Sequence, residues 1–303
     1  MLHKAGYVTI IGKPNAGKST LLNAFLKQKL SITNNKPQTT RKSILGILSE
    51  NEYQIIFQDT PGIIEPRYLL QKRMMDFYRR ALDDADLILF LIEPDDPLIN
   101  HDMKTLPLFQ DIFVKLRTKI VAIINKVDLI DQSKTEFVHS ALEKTGLFDK
   151  IFAVSALHKF GTDELLRMVV TYLPEGPKYY PDDIVSSEPE KFFVSEIIRE
   201  KILELYQDEI PYSCEVVIEE FKEREKGKDL IRAVIVAEKD SQKGILIGAK
   251  GAAIKRLGES SRKEIEEFLE REVFLELRVK VRQNWRSDEK FLRQFGYDIP
   301  KDE

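Results

Sequence analysis

The sequence predicts two domains of different build: an α/β domain whose mostly parallel sheet carries helices on both faces, then a smaller α+β domain. Three observations predict this. From residue 7 to residue 173, short apolar runs alternate with longer stretches of helical periodicity, the pattern of parallel strands buried on both faces. Pro174, Gly176, Pro177, Pro181 and Pro189 then punctuate a polar stretch with Tyr179 and Tyr180, the composition of an inter-domain linker. Beyond it the order becomes helix, strand, strand, helix, helix, strand. A chain of 303 residues supports two hydrophobic cores. The expected boundaries are 1–173 for the first domain, 174–191 for the linker and 192–303 for the second domain with its tail.

Residues 7–11 form a short apolar run expected to be a buried strand. Residues 19–28 follow as a helix, with Leu21, Leu22, Phe25 and Leu26 on one face. Residues 31–43 are polar and contain Pro37-Gln38-Thr39-Thr40-Arg41. Residues 44–48 and 54–57 read as strands joined by the hairpin signal Ser49-Glu50-Asn51-Glu52. A helix over about 68–83, a strand over 87–92, a helix over about 101–116 and a strand over 120–124 come next. A helix over about 133–145, a strand over 151–154 and a helix over about 162–172 complete the first domain. The second domain is expected to run as a helix over 193–205, strands over 214–220 and 230–238, helices over about 241–247 and 252–269, and a strand over 273–281.

Four motifs fall at the carboxyl ends of predicted strands, where open α/β sheets bind ligands. The first is Gly12-Lys13-Pro14-Asn15-Ala16-Gly17-Lys18-Ser19, followed by Thr20. It lies between a strand and a helix, the context of a phosphate-binding loop. Glycines let backbone N–H groups turn inward on phosphate oxygens, Lys18 reaches the β- and γ-phosphates, and the Ser19 hydroxyl suits Mg²⁺. The helix N-terminus adds partial positive charge. The second motif is Asp59-Thr60-Pro61-Gly62: a carboxylate for Mg²⁺ through its water shell, and a Gly62 N–H for a γ-phosphate. The third is Asn125-Lys126-Val127-Asp128. The Asp128 carboxylate accepts two hydrogen bonds from guanine N1–H and the 2-amino group, a donor pair adenine lacks. Lys126 lies along the base plane and Asn125 ties loops together. The fourth, Ser155-Ala156-Leu157, offers the Ala156 N–H to the base carbonyl.

In this order and spacing, about residues 5–173 resemble the translation-factor-like class of P-loop GTPases. The resemblance implies binding of GTP and GDP, and GTP hydrolysis with Lys18, Thr40, Gly62 and Asn15 as the catalytic set. It implies Mg²⁺ held by Ser19, Asp59 and a switch threonine, either Thr39 or Thr40, with Thr40 favoured. Ile63 stands where Ras-type enzymes place the glutamine that orients the attacking water. Hydrolysis is therefore expected to be slow or to position water by other means. Asn15 offers one: in related GTPases the asparagine of this loop is a ligand for K⁺ in place of an arginine finger. The alternative is that Asn15 only braces the loop.

In the second half, Gly248-Ala249-Lys250-Gly251 sits between two predicted helices. Glycines there admit a nucleic-acid backbone and Lys250 adds charge. The element order around it resembles a type II KH domain over about 192–283, whose G-x-x-G clamp grips about four single-stranded nucleotides. Lys255, Arg256, Lys280 and Arg282, with Arg286, are the candidate basic patch, set against Glu264, Glu266, Glu267 and Glu270. Trp285 either stacks on a base or packs a C-terminal helix.

One such GTPase domain followed by one type II KH domain resembles the Era family of bacterial ribosome-assembly GTPases over nearly the whole chain. Residues 191–200 (KFFVSEIIRE) and 285–289 (WRSDE) fit that family too. The resemblance implies binding to the 3′ end of 16S rRNA on the 30S subunit, and peripheral association with the inner face of the cell membrane. A single phosphate loop sets the chain apart from Der-type GTPases, which carry two GTPase domains. The other reading is a GTP-dependent RNA- or protein-binding module with little intrinsic hydrolysis.

Composition narrows the remainder. A net charge of −3 gives no bulk attraction to nucleic acid, so any such site is a local patch. The one cysteine, Cys214, makes no internal disulfide and no cysteine-pair zinc site, and is expected to be buried. None of the four histidines lies in a motif. No apolar run reaches membrane-spanning length, and the first strand starts too early for a signal peptide. A cytoplasmic monomer is expected.

Overall fold

A computed structural model describes residues 3–101, 103, 109 and 118–298. The chain divides into two compact units, Met1–Arg67 with Met74–Ser187, and Tyr68–Arg73 with Glu188–Glu303. In the first, β1 (Lys4–Gly12), α1 (Lys18–Leu26), β2 (Ile44–Ser49), β3 (Tyr53–Asp59), α2 (Leu69–Asp83, of which it holds the part from Met74 on) and β4 (Leu87–Ile92) follow in order. Then come β5 (Lys119–Ile124), α3 (Gln132–Lys144), β6 (Lys150–Ala153) and α4 (Thr162–Tyr172). The sheet order is β2-β3-β1-β4-β5-β6. Only β2 runs antiparallel to its neighbour. All six residues of β4 are buried, as a strand covered on both faces requires. The helix expected over 101–116 falls almost wholly outside the described residues.

Register places the motifs on one edge of the sheet. Ile10 pairs with Asp59, and Gly12 with Leu91. Ile92 pairs with Ile124, which pairs with Ala153. The phosphate loop, Asp59, Asn125 and Ser155 therefore leave their strands at nearly one level.

The stretch read as a linker is a strap on the first unit as far as Ser187, and this corrects the sequence reading. Ala5 N–H donates to Pro174 O (3.1 Å) and Gly176 N–H to His3 O (3.0 Å). Ile47 N–H donates to Val185 O (2.7 Å), and the Ser186 hydroxyl to Leu45 O (2.7 Å). The physical reason is the edge: β2 ends the sheet, and its outward backbone groups need partners. Buried Gln54 grips the strap from within. Its Oε1 accepts the Tyr179 and Tyr180 N–H groups (2.7 and 3.0 Å), and its Nε2 donates to Tyr180 O (2.8 Å). Gln54→Leu, of similar volume, leaves these peptide groups without partners. We expect it to cost about 2–3 kcal/mol of first-unit stability. Denaturant titration and amide exchange check this, with Tyr179 and Tyr180 the amides that should exchange faster.

The second unit runs α5 (Glu190–Leu205), α6 (Ile210–Ser213), β7 (Glu215–Lys222), β8 (Asp229–Ala237), α7 (Asp240–Ile247), α8 (Ala252–Leu269), β9 (Val273–Val281) and α9 (Glu289–Gln294). Its sheet order is β7-β8-β9, with β8 antiparallel to β7 and parallel to β9. Ile198, Ile202, Cys214, Ile231, Ile235, Leu246, Leu257 and Ile265 belong to its core. On the other face Glu220, Arg232, Glu276 and Arg278 form a row of ion pairs across the three strands. Trp285 is fully buried, donates Nε1–H to Ser213 O (3.0 Å) and meets the Phe295 ring at 5.5 Å. It packs the C-terminal segment rather than a base. No helix among the described residues is long and apolar enough to cross a membrane.

Candidate nucleotide site and nucleic-acid face

The phosphate loop is shaped by close approaches that only glycine permits. Gly17 caps α1 at φ 94°, and a Cβ there would lie 2.2 Å from Asn125 Nδ2. A Cβ on Gly62 would fall 2.7 Å from Pro14 N, so the Asp59-Thr60-Pro61-Gly62 segment lies directly against the loop. Ile63 N–H donates to Gly12 O (3.1 Å), and the Thr60 hydroxyl to Ile10 O (2.8 Å). Lys18 is buried, and its Nζ donates to the carbonyls of Gly12 (3.2 Å) and Lys13 (2.9 Å). Burial pulls its ammonium down to about 8, opposed by the charges of Asp59 and Glu93. An anionic phosphate placed beside this lysine favours its charged form further.

Three oxygens converge next to it. Ser19 Oγ donates to Asp59 Oδ2 at 2.6 Å and lies 2.9 Å from Thr40 Oγ1, which is itself 3.5 Å from Asp59 Oδ2. Burial raises the Asp59 carboxyl above its usual range, while the Ser19 hydroxyl and the Lys18 charge hold it down. Its second oxygen, Oδ1, is buried without a hydrogen bond. A hard divalent cation suits such a set of oxygens, so Ser19, Thr40 and Asp59 fit Mg²⁺, whose chemistry is to neutralise phosphate charge. The adjacent Thr39 turns away: its hydroxyl donates to Lys36 O (2.7 Å).

The base half is built around Asn125. Its Nδ2 donates to Ala16 O (2.8 Å) and its Oδ1 accepts the Ala156 N–H (3.0 Å). It thus ties the phosphate loop to the loop after β6. The second bond sets the Ala156 N–H, which the sequence reading gave to the base carbonyl, beside Asn125 at the end of β6. Asp128 Oδ2 lies 3.7 Å from His158 Nε2, a neighbour with no sequence signal. Lys126 stands at φ 64°, its Nζ 3.0 Å from Glu93 Oε2. Leu157 is 72% exposed and Leu129 73%, so both offer apolar surface at the mouth. Together these segments enclose a cavity of about 690 Å³, with Lys18, Ser19 and Thr40 in one part of its wall and Asn125, Lys126, Asp128 and Leu157 in another. Ser155 and Ala156 are buried behind that wall. Asn15 is exposed, and its Nδ2 donates to Asn35 O (2.6 Å), linking the phosphate loop to the segment that carries Thr40.

In the second unit, Gly248 (φ 71°), Lys250 (φ 51°) and Gly251 (φ 79°) make the turn between α7 and α8. Ala249 and Lys250 are exposed, and a Cβ on Gly251 would meet nothing within 4 Å. The clamp is open to solvent, with Ile245 51% exposed beside it. The basic patch is narrower than the sequence suggested. Lys280 is paired with Glu219 (2.5 Å), Arg286 with Glu238, and Lys255 lies 4.0 Å from Glu259. Lys280 and Arg282 leave the end of β9 beside Ala237. That end is separated from the clamp by the length of α7, about 12 Å for eight residues. Glu219 and Lys280 are 61 residues apart in sequence, so no local pattern announces their pairing.

Comparison with known proteins places these two units together. A family model described as "50S ribosome-binding GTPase" matches residues 7–126, and one described as "KH domain" matches residues 209–286. GTPase Era of Caldanaerobacter subterraneus is 44% identical over 99% of this chain and 100% of its own. GTPase Era of Geotalea daltonii is 45% identical over 97% and 98%. Two solved structures, each 37% identical with a TM-score of 0.91, cover 98% of this chain and 100% of their own: an Aquifex aeolicus Era variant bound to GDP·AlF4⁻, and Era in complex with MgGDPNP and nucleotides 1506–1542 of 16S ribosomal RNA. The P-loop domain and KH domain of this protein are thus those of a GTP hydrolase, and the chain belongs to the Era GTPase family.

Proposed function

We propose that this GTPase binds the 3′ end of 16S rRNA through its KH unit and acts in assembly of the small ribosomal subunit. The observation that carries the reading is the open Gly248–Gly251 clamp in a chain whose solved relative holds MgGDPNP and 16S rRNA nucleotides together. Ala249, Lys250 and Arg256 are the contacts we assign to the RNA backbone, with Lys255, Lys280 and Arg282 as outlying charge. Mg²⁺ is assigned to Ser19, Thr40 and Asp59. We further propose that the protein is a cytoplasmic monomer, with the peripheral contact to the inner membrane face that the family resemblance implies. The test is anisotropy of a labelled 16S 3′-end oligonucleotide, with Ala249→Asp/Lys250→Asp as the variant. Two carboxylates beside the phosphates should weaken binding on the order of a hundredfold at physiological salt and leave GTP affinity intact. Unchanged RNA affinity in the variant would discard the clamp.

Ile63 cannot orient water as glutamine does, so charge neutralisation falls to another group. We assign it to K⁺ at Asn15, whose amide carries a carbonyl-type oxygen suited to that ion and whose Nδ2 donates to Asn35 O. GTP hydrolysis is then faster in KCl than in NaCl at equal ionic strength, and Asn15→Ala removes the difference. Equal rates in the two salts would leave Asn15 as a brace between the loop and residues 31–43.

A further inference from the structure

We propose that the tight turn at residues 93–96, after β4, positions the nucleotide site, with Asp96 acting through Lys13 of the phosphate loop. Strand order makes this turn central: β4 lies between β1 and β5, so the turn emerges between the phosphate loop and the base loop. It is closed by Asp96 N–H donating to Glu93 O (3.0 Å), with Pro94 inside it. Its acids reach in opposite directions. Asp96 Oδ1 lies 2.6 Å from Lys13 Nζ, and Glu93 Oε2 lies 3.0 Å from Lys126 Nζ. A third pair, Asp95 with Lys134 at 3.2 Å, has an 83% exposed carboxylate and is screened by water.

Burial ranks these contacts. The Asp96 side chain is 7% exposed, so its attraction for Lys13 is screened far less than a surface pair. The same Oδ1 accepts the Leu98 N–H (2.9 Å), which fixes the carboxylate. Lys13 is thereby held at two points: its ammonium by Asp96, and its carbonyl by Lys18 Nζ (2.9 Å). Because Lys13 directly follows Gly12, holding it fixes where the loop begins its turn around the phosphates. A loop released from this hold must be ordered by the nucleotide itself. That cost falls on ground state and transition state alike, so it appears in affinity and not in the chemical step. Asp96 is therefore a positioning residue, one contact removed from the nucleotide.

The inference rests on the nucleotide site described above. The test uses the full chain and a fluorescent GDP analogue in stopped flow, beside GTP steady-state kinetics. Asp96→Asn keeps an acceptor for the Leu98 N–H and removes the charge. It should speed GDP release about tenfold and raise KM for GTP alike, the loss of one partly buried charge pair, with kcat unchanged. Lys13→Gln, at a half-exposed position that folding tolerates, should produce the same acceleration. In the Lys13→Gln background Asp96→Asn should add nothing. Unchanged release in both single variants overturns the proposal, and so does equal acceleration by Asp96→Asn in both backgrounds, which would show that its effect does not pass through Lys13. A wild-type chain that failed to bind the analogue would instead indict the nucleotide site itself.

Discussion

Lys18→Ala is expected to reduce GTP turnover by about a hundred- to a thousandfold, the usual cost of removing one preorganised charge from the developing transition state. The structure gives the reason for so large an effect at a single side chain. Lys18 is 6% exposed, and its Nζ is already docked on the carbonyls of Gly12 and Lys13. It therefore needs little reorganisation to face phosphate oxygens. Burial holds its ammonium down to about 8 against the charges of Asp59 and Glu93, and a bound polyphosphate adds further opposite charge. Alanine removes that pairing in both the ground and transition states, so KM should rise as kcat falls. Single-turnover hydrolysis with an excess of protein over GTP separates the two. A variant that folds, binds GTP with unchanged affinity and turns it over normally would remove Lys18 from the site.

What the sequence made legible follows from where chemistry sits on this fold. Each nucleotide motif terminates an apolar strand, so strand periodicity and motif spacing together located the phosphate loop, Asp59 and Asn125 on one sheet edge. Adjacent Thr39 and Thr40 were not separable in that way. They are the same residue type, and only the backbone path sends one hydroxyl to Lys36 O and the other to Ser19. The strap at 174–187 reads as a linker because its composition is polar and broken by proline. What holds it is the open edge of β2 and a buried glutamine more than a hundred residues away. The sequence Glu93-Pro94-Asp95-Asp96 looks like any polar turn. Its importance depends on β4 lying between β1 and β5, a fact of sheet order that no local window contains. The KH clamp was legible from its glycines, whereas the neutralisation of Lys280 by Glu219 required the β-sheet that brings them together.

Asp128→Asn is expected to exchange the preferred base. The Asp128 carboxylate can accept two parallel hydrogen bonds, from guanine N1–H and the 2-amino group. Asparagine keeps one acceptor, Oδ1, and turns the other position into a donor, Nδ2. Against guanine this faces an N–H donor with an N–H donor, and a buried polar pair left unmatched is what makes such sites discriminate by factors on the order of 10⁴. Xanthine carries a carbonyl at that position and retains N1–H, so its edge complements asparagine. GTP affinity should therefore fall by a hundredfold or more, while xanthosine triphosphate gains. The fold should accept the change, because Asp128 and asparagine are isosteric, and the Asn125 bonds to Ala16 and Ala156 do not involve it. The His158 ring 3.7 Å from Asp128 Oδ2 supplies an internal control: His158→Ala tests that contact separately and should leave the order GTP over xanthosine triphosphate unchanged. Competition of GTP, ATP and xanthosine triphosphate for a fluorescent GDP analogue measures the exchange. ATP should remain excluded throughout, since adenine presents an amino group in place of the guanine carbonyl and no N1–H. Retention of the wild-type preference for GTP in Asp128→Asn would remove this carboxylate from base recognition.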